Sequence, residues 1–239
     1  MEKIKNIRKK LRHQRSVRRR KLGLSTPTQI ICVSFIIVIA LGTLLLTLPI
    51  ASRHGRLDVL NAMFTATSAT CVTGLVVRDT WSQFTWFGQA VVLLLIQVGG
   101  LGLVTLTSFF ALAMRRRMGF RDLRLLGESV SADGYDQAKS VLKIVVGLAA
   151  MFEGIGILLL MFAFVPQFGL EGIWISVFTA ISAFCNAGFD LFGRFGAYSS
   201  LAPYVNNYYV QAVIMFMIIS GGLGFMVWVE LCQWYQKRR

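Results

Sequence analysis

The stretch Phe64–Leu75, FTATSATCVTGL, returns at Phe178–Phe189 as FTAISAFCNAGF. In both copies Phe-Thr-Ala leads, Ser-Ala and then Cys follow, and one glycine stands next to last, Gly74 in the first and Gly188 in the second. Each copy is short and moderately apolar, and each is flanked on both sides by a longer apolar run. The chain therefore reads twice as helix, short segment, helix, with the short segment at membrane depth. An unpaired peptide group in hydrocarbon costs several kcal/mol, so irregular backbone persists there only where it lines a water-filled path.

A short helix that enters the bilayer and returns through a glycine-bearing extended strand is suited to a desolvated cation. Its backbone carbonyls replace the hydration shell, and the C-terminal end of the helix dipole faces the ion. Gly74 and Gly188 suit that strand because glycine takes positive φ at no steric cost and can turn a carbonyl in an unusual direction. The expected architecture is an all-α integral membrane protein built from tandem helix, re-entrant pore helix with filter strand, helix repeats: two units and four full crossings, forming half of an ion-conducting pore.

Composition agrees with a membrane class. Apolar residues make up 55% of the 239, and the mean hydropathy is +0.62, which is too high for a soluble domain. The N-terminal 24 residues are too charged for a secretory signal, and the apolar run after them is too long, so the first span is expected to be retained. The net charge of +14 is unevenly placed: of 25 Lys and Arg, 11 lie between Lys3 and Lys21, seven between Arg115 and Lys143, and three at Lys237, Arg238 and Arg239. Arg53, Arg56, Arg78 and Arg194 remain. Cytoplasmic flanks collect Lys and Arg, so both termini and the middle loop are expected inside a plasma-membrane protein. The basic tail is expected to meet anionic headgroups rather than nucleic acid, since no nucleic-acid module surrounds it.

Taken in order, the sequence divides into a basic cytoplasmic tail (1–24), a first membrane-pore-membrane repeat (25–114), a cytoplasmic connecting loop (115–137) and a second repeat (138–239). Crossings are expected at Thr28–Leu48, Phe84–Met114, Ala138–Val165 and Tyr204–Trp228, with re-entrant helices at Asp58–Cys71 and Glu171–Cys185. Asp58 and Glu171 place a carboxylate at each re-entrant N-terminus, where the helix dipole favours it. Cys71 and Cys185 hold equivalent positions and read as small residues closing the pore helices. Gly99-Gly100-Leu101-Gly102 is matched by Gly221-Gly222-Leu223-Gly224, and these small residues are expected to allow close helix approach. The joint RRRMGFRDLRLLGESVS reads equally as an interfacial helix, a docking surface or a solvated loop.

Glu153 is a carboxylate at membrane depth, where charge is costly and usually paired or functional. A structural acid bonded to a neighbouring helix or to filter backbone is favoured over a proton or ion relay, because no second intramembrane acid or base accompanies it. Asp190, just beyond the second strand, could favour cations at the mouth or cap a turn. Four Cys and two His show no metal-ligand spacing, and no nucleophile and base set converges at membrane depth, so an enzyme is not expected.

The basic tail, PIASRHGRLDVLNAMFTATSATCVTGL, QVGGLGLVT with its RRRMGFRDLRLLGESVS continuation, and ISAFCNAGFDLFG together resemble the membrane subunit of the Trk/Ktr/HKT superfamily of potassium transporters, most closely the bacterial KtrB type. The likeness covers nearly the whole chain. It implies four such repeats around one path with one filter glycine from each, potassium uptake that sodium drives or stimulates, no organic cofactor, a homo-oligomer, and a cytoplasmic nucleotide-binding regulatory subunit. Carried to this sequence, the filter strands are Cys71, Val72, Thr73, Gly74 and Leu75, and Cys185, Asn186, Ala187, Gly188 and Phe189.

Only two of the four implied repeats are present, and the gating loop of the third is not among them. Two strands cannot surround an ion. The sequence reads either as a piece of a longer protein or as one of two copies paired about a twofold axis, and the distinctness of the family's four repeats favours the first. The alternative function is a non-conducting half that assembles with or regulates a full-length transporter.

Overall fold

The computed structural model describes residues 27–102, 133–223, 227–228 and 234. Among these, α1 (Pro27–Leu46), α2 (Val59–Thr70), α3 (Thr80–Gln83) and α4 (Trp86–Gly100) form a first unit. A second contains α5 (Asp133–Phe168), α6 (Leu170–Phe184) and α7 (Tyr208–Gly222). The described secondary structure is helical, with one isolated antiparallel bridge between Ser52 and Phe84. The short helices α2 and α6 each lie against the longer helices of their own unit, and α4 also packs on α6, which joins the units.

Helix ends follow local chemistry. α1 carries no charged residue and stops at Leu46, short of the expected Leu48, because Pro49 disfavours helical backbone before it and opens a 3₁₀ turn over Pro49–Ala51. Asp58 caps α2 by accepting from the Leu60 N–H at 3.2 Å, and Cys71 closes it. At about 1.5 Å per residue the 12 residues of α2 reach roughly 18 Å, too little to cross a bilayer. α4 starts at Trp86 rather than Phe84, since Thr85 caps it through the Gly88 N–H and Phe84 is drawn into the bridge with Ser52. Phe84 is fully buried, and its carbonyl accepts from Arg53 Nε at 3.1 Å and Gln89 Nε2 at 3.2 Å.

The second unit shifts the expected limits further. α5 begins at Asp133, so residues 133–137 of the segment read as a connecting loop are helical, and it continues past Val165 through Pro166 to Phe168. Among the described residues its Val145–Phe168 part is long and apolar enough to cross a membrane. The described part of α1 has 20 residues and those of α4 and α7 have 15 each. The turn from α5 to α6 is made at Gly169, φ 61°, whose N–H returns to Val165 O at 2.8 Å. α7 begins at Tyr208, not Tyr204, because Asn207 caps it through the Val210 N–H. Tyr204 instead lies buried in a 3₁₀ turn, Ala202–Tyr204, stacked edgewise on Phe164 at 5.3 Å and close to Phe192 at 5.2 Å.

The basic tail, residues 103–114 of the second expected crossing, the RRRMGFRDLRLLGESVS joint, Gly224, and the terminal Glu230, Cys232, Tyr235 and Lys237–Arg239 lie outside the described residues.

Matched glycines set how closely each following helix approaches its pore helix. A Cβ on Gly99 would run into the carbonyl of Thr70, and one on Gly221 into that of Phe184, the position equivalent to Thr70. Both obstacles are backbone, which cannot swing aside. Gly99→Ala and Gly221→Ala are each expected to destabilise the detergent-solubilised protein by about 1–3 kcal/mol as overpacking. Gly147→Ala, in α5 with nothing within 4 Å of the new methyl, is expected to be neutral or stabilising by up to about 1 kcal/mol. Thermal unfolding of the three variants side by side checks the contrast.

Candidate functional site

The repeated motif folds identically in the two units. Cys71 donates its N–H to Thr67 O at 2.8 Å and Cys185 to Ile181 O at 2.9 Å, so each cysteine is the C-cap of its short helix. The next residue, Val72 or Asn186, takes φ 57°, and two residues on Gly74 and Gly188 both take φ 72°. A β-strand would send successive carbonyls to opposite sides. Positive φ at alternate residues breaks that pattern, and Cys71–Leu75 and Cys185–Phe189 each begin in a turn and join no ladder.

A serine one turn back in each helix holds the far end of the segment. Ser68 Oγ donates to Leu75 O at 2.7 Å, and Ser182 Oγ donates to Phe189 O at 2.6 Å. The Ser68 and Ser182 carbonyls accept from the N–H groups of Thr73 at 3.0 Å and Ala187 at 2.8 Å. One residue therefore clamps the segment at two points. The sequence shows the Ser-Ala pair in both copies but not this role, which needs the positive-φ turn to bring a position seven residues on back to the helix.

The two segments lie against each other. A Cβ on Gly188 would sit 3.2 Å from the Cα of Gly74, and one on Gly74 would be 2.9 Å from the Ala187 carbonyl oxygen. Their surroundings differ: Cys71, Thr73 and Leu75 are exposed, whereas Cys185, Ala187 and Phe189 are buried. Behind the second segment Gly100 of α4 leaves room for Cys185, where a Cβ would overlap its sulfur.

Glu153, on α5, is 8% exposed and accepts from Gln97 Nε2 of α4 at 2.8 Å, and Gln97 Oε1 lies 4.0 Å from Cys185 Sγ. The acid thus meets a neighbouring helix of the other unit, next to the end of the second pore helix. Asn186 Nδ2 reaches the carbonyls of Ile218 and Phe184 at 3.4 Å, tying the second segment to α7.

Beyond the segments, α3 was not foreseen: Asp79 caps it through the Ser82 N–H at 2.8 Å and also accepts from the Tyr198 N–H of the second unit at 3.2 Å. Gly193 leaves the space that the buried Asp79 carboxylate occupies. Asp190 accepts from the Phe192 N–H at 2.9 Å, a local turn. Burial pushes its carboxyl above the ordinary carboxylate range and the Asp79 charge adds to this, against the bonds from Phe192 and Ser200, which favour the ionised form. Arg53 and Arg194 lie over the Trp81 ring at 5.1 and 5.2 Å, and Arg194 pairs with Glu171 at 3.2 Å. Glu171 therefore sits in the first turn of α6 but bonds Arg194 rather than capping the helix. No cluster of three potential metal ligands occurs among the described residues.

Comparison with known proteins bears on this arrangement. Residues 4–239 match the TrkH family, described as cation transport proteins. The chain is 36% identical over 216 residues to the potassium/sodium uptake protein NtpJ of Enterococcus hirae, covering 90% of this chain and 47% of that protein. It is 39% identical over 203 residues to the Ktr system potassium uptake protein B of Bacillus subtilis, covering 84% of this chain and 44% of that one. The corresponding protein of Vibrio alginolyticus is 36% identical, over 87% of this chain and 45% of its own length. The chain thus spans about half the length of the curated relatives it matches.

The serine clamp makes a measurable demand. Ser182→Ala leaves the buried Phe189 carbonyl without its donor, which costs about 1–3 kcal/mol. Thr67→Ala removes only a bond to its own helix at Met63 O, at an exposed site, and is expected to fall within about 0.5 kcal/mol of the parent. Melting of both variants in detergent should show Ser182→Ala clearly lower; equal midpoints would remove the clamp from the account.

Proposed function

The chain belongs to the TrkH family of cation transport proteins, and from that premise we propose that it supplies two of the filter segments through which potassium is taken up across the cell membrane. The protein is integral to the membrane and a transporter by family, not an enzyme. In this reading the carbonyls of Cys71, Val72, Thr73 and Gly74, with those of Cys185, Asn186, Ala187 and Gly188, replace the water around the ion, while those of Leu75 and Phe189 are held by the serine hydroxyls. The C-terminal ends of α2 and α6 add their negative dipole ends.

The observation that carries the proposal is the pair of superposable turns: the same alternating positive φ, the same serine clamp, and glycine meeting glycine across the unit joint. Potassium is the proposed substrate because relatives are named for potassium uptake, and sodium is a candidate coupling or stimulating ion because one is named for both. Relatives of the Ktr system support a multi-component assembly, in which we place a homo-oligomer and a cytoplasmic nucleotide-binding subunit on the inner face, with both termini on that side. The repeat limits 25–114 and 138–239, the basic tail 1–24 and the cytoplasmic joint 115–137 belong to the same proposal. We assign Glu153 a structural role in joining the units, because Gln97 supplies the partner that a relay acid would need to give up.

A second reading rests on the length comparison: a chain spanning about half of its relatives could act as a non-conducting half that joins or regulates a complete transporter.

Gly74→Ser separates filter from bystander. A side chain at φ 72° is strained, and its Cβ would meet the Ala187 carbonyl at 2.9 Å. In any assembly containing this chain that carries potassium, the variant should lose potassium preference over sodium by fivefold or more; unchanged preference overturns the assignment. Independently of flux, Thr73→Cys should react with a membrane-impermeant thiol reagent from outside and be protected by potassium. Labelling from the cytosol alone, or none in an unfolded-state-reactive protein, also overturns it.

A further inference from the structure

We propose that Tyr198 is a positioning residue for ion passage: from the second unit it holds the outer end of the first filter segment, and so sets how the two segments lie relative to each other. This rests on the filter reading and names what fixes the mouth of that path.

Each filter segment continues into a carboxylate. Asp190 follows Phe189 directly, and Asp79 stands four residues beyond Leu75. Asp190 accepts from the Phe192 N–H at 2.9 Å and from the Ser200 side chain, so its bonds stay within its own unit. Asp79 does otherwise. Its Oδ2 caps α3 through the Ser82 N–H, while its Oδ1 faces the second unit and accepts from the Tyr198 N–H at 3.2 Å. The Tyr198 hydroxyl donates to Val77 O at 2.9 Å. Two donors on one residue of the second unit thus bind the first unit on both flanks of Arg78.

The loop that carries Tyr198 is bent to make these bonds. Gly196 takes φ 151°, Tyr198 62° and Ser200 46°. A bulky residue at positive φ is a costly exception that persists only where surrounding contacts over-determine it. Those contacts are present. Ser199 Oγ donates to Phe192 O at 2.7 Å and the Ser199 N–H to Gly196 O at 3.0 Å. Phe192 is itself fully buried beside Phe164 of α5, with 5.4 Å between ring centres. The base of the loop is therefore anchored to α5, and Gly193 leaves the space into which the Asp79 carboxylate reaches.

A phenol bonded to a carbonyl is not distinctive by itself. Tyr209 donates to Leu159 O at the same 2.9 Å, joining α7 to α5 within one unit. What sets Tyr198 apart is where its acceptor lies. The backbone leaving the first segment is held at Leu75 O by Ser68 of its own unit and, two residues on, at Val77 O by Tyr198 of the other. Removing the second tie frees the outer end of that segment from the second unit while the serine clamp stays closed.

Tyr198→Phe removes the hydroxyl and keeps ring and backbone, and Tyr209→Phe is its matched control. The two full-chain variants are expected to melt within about 2 °C of each other in detergent. In hydrogen–deuterium exchange on the purified chain, the amides of residues 76–83 should exchange roughly threefold or more faster in Tyr198→Phe, as for the loss of one hydrogen bond, and at the parent rate in Tyr209→Phe. In an assembly containing this chain that carries potassium, Tyr198→Phe should lower the preference for potassium over sodium by roughly threefold or more, and Tyr209→Phe should leave it alone. Unchanged exchange over residues 76–83 overturns the tie, and unchanged ion preference overturns the positioning role. A Tyr198→Phe chain that melts well below its control marks a structural residue and overturns the proposal as well. Loss of preference in Gly74→Ser with none in Tyr198→Phe overturns this proposal alone, whereas unchanged preference in Gly74→Ser removes the filter reading beneath it.

Discussion

The structure depends on the serine that ties each short helix to the segment returning from it. Hydrocarbon offers no donors, so an unpaired carbonyl persists only if the backbone around it is fixed by bonds made elsewhere. The short helices provide those bonds. Each ends in a cysteine cap, turns through a left-handed residue, and is held by one serine whose carbonyl and hydroxyl grip the returning segment at two heights. Everything larger serves that hairpin: α1 and α4 wrap the first, α5 and α7 the second.

The glycines divide into two classes by what they permit. Gly74 and Gly188 supply backbone conformation, φ 72° in both. Gly99, Gly100 and Gly221 supply absence of volume, letting a long helix lie on the carbonyl end or cysteine cap of a short one. The first class shapes the returning segments and the second brings the longer helices up to them, with Gln97 of α4 beside Glu153 and Cys185.

Much of this was legible in the sequence because the motif occurs twice. The re-entrant helices fall within a residue of their expected ends, since Asp58 caps one and the cysteines close both. The glycine pairs declared close packing, though not that the surface they meet is a pore helix's last carbonyl. Less was legible where tertiary contacts override local pattern. Phe84 and Tyr204 read as the first residues of membrane helices, yet one is drawn into a bridge with Ser52 and the other into an aromatic cluster with Phe164 and Phe192. α3 is too short to announce itself, and the burial of Asp79 depends on Tyr198 and Gly193 of the second unit, which no local pattern brings to it. The exposure of Cys71 against the burial of Cys185 could not be foreseen from two near-identical strings, because it reflects which neighbour each copy has.

The shared indole at the rim has a mechanical consequence. Trp81 of the first unit lies within 5.2 Å of guanidinium groups from both units, Arg53 and Arg194, and Arg194 is itself held by Glu171 at the head of the second pore helix. Together with the Asp79 bond to Tyr198, this welds the α3 end of the two units into one plate. The rim contacts thus add to those that α4 makes with α6 and α5 further along the joint, so the two units are tied at both ends of α4.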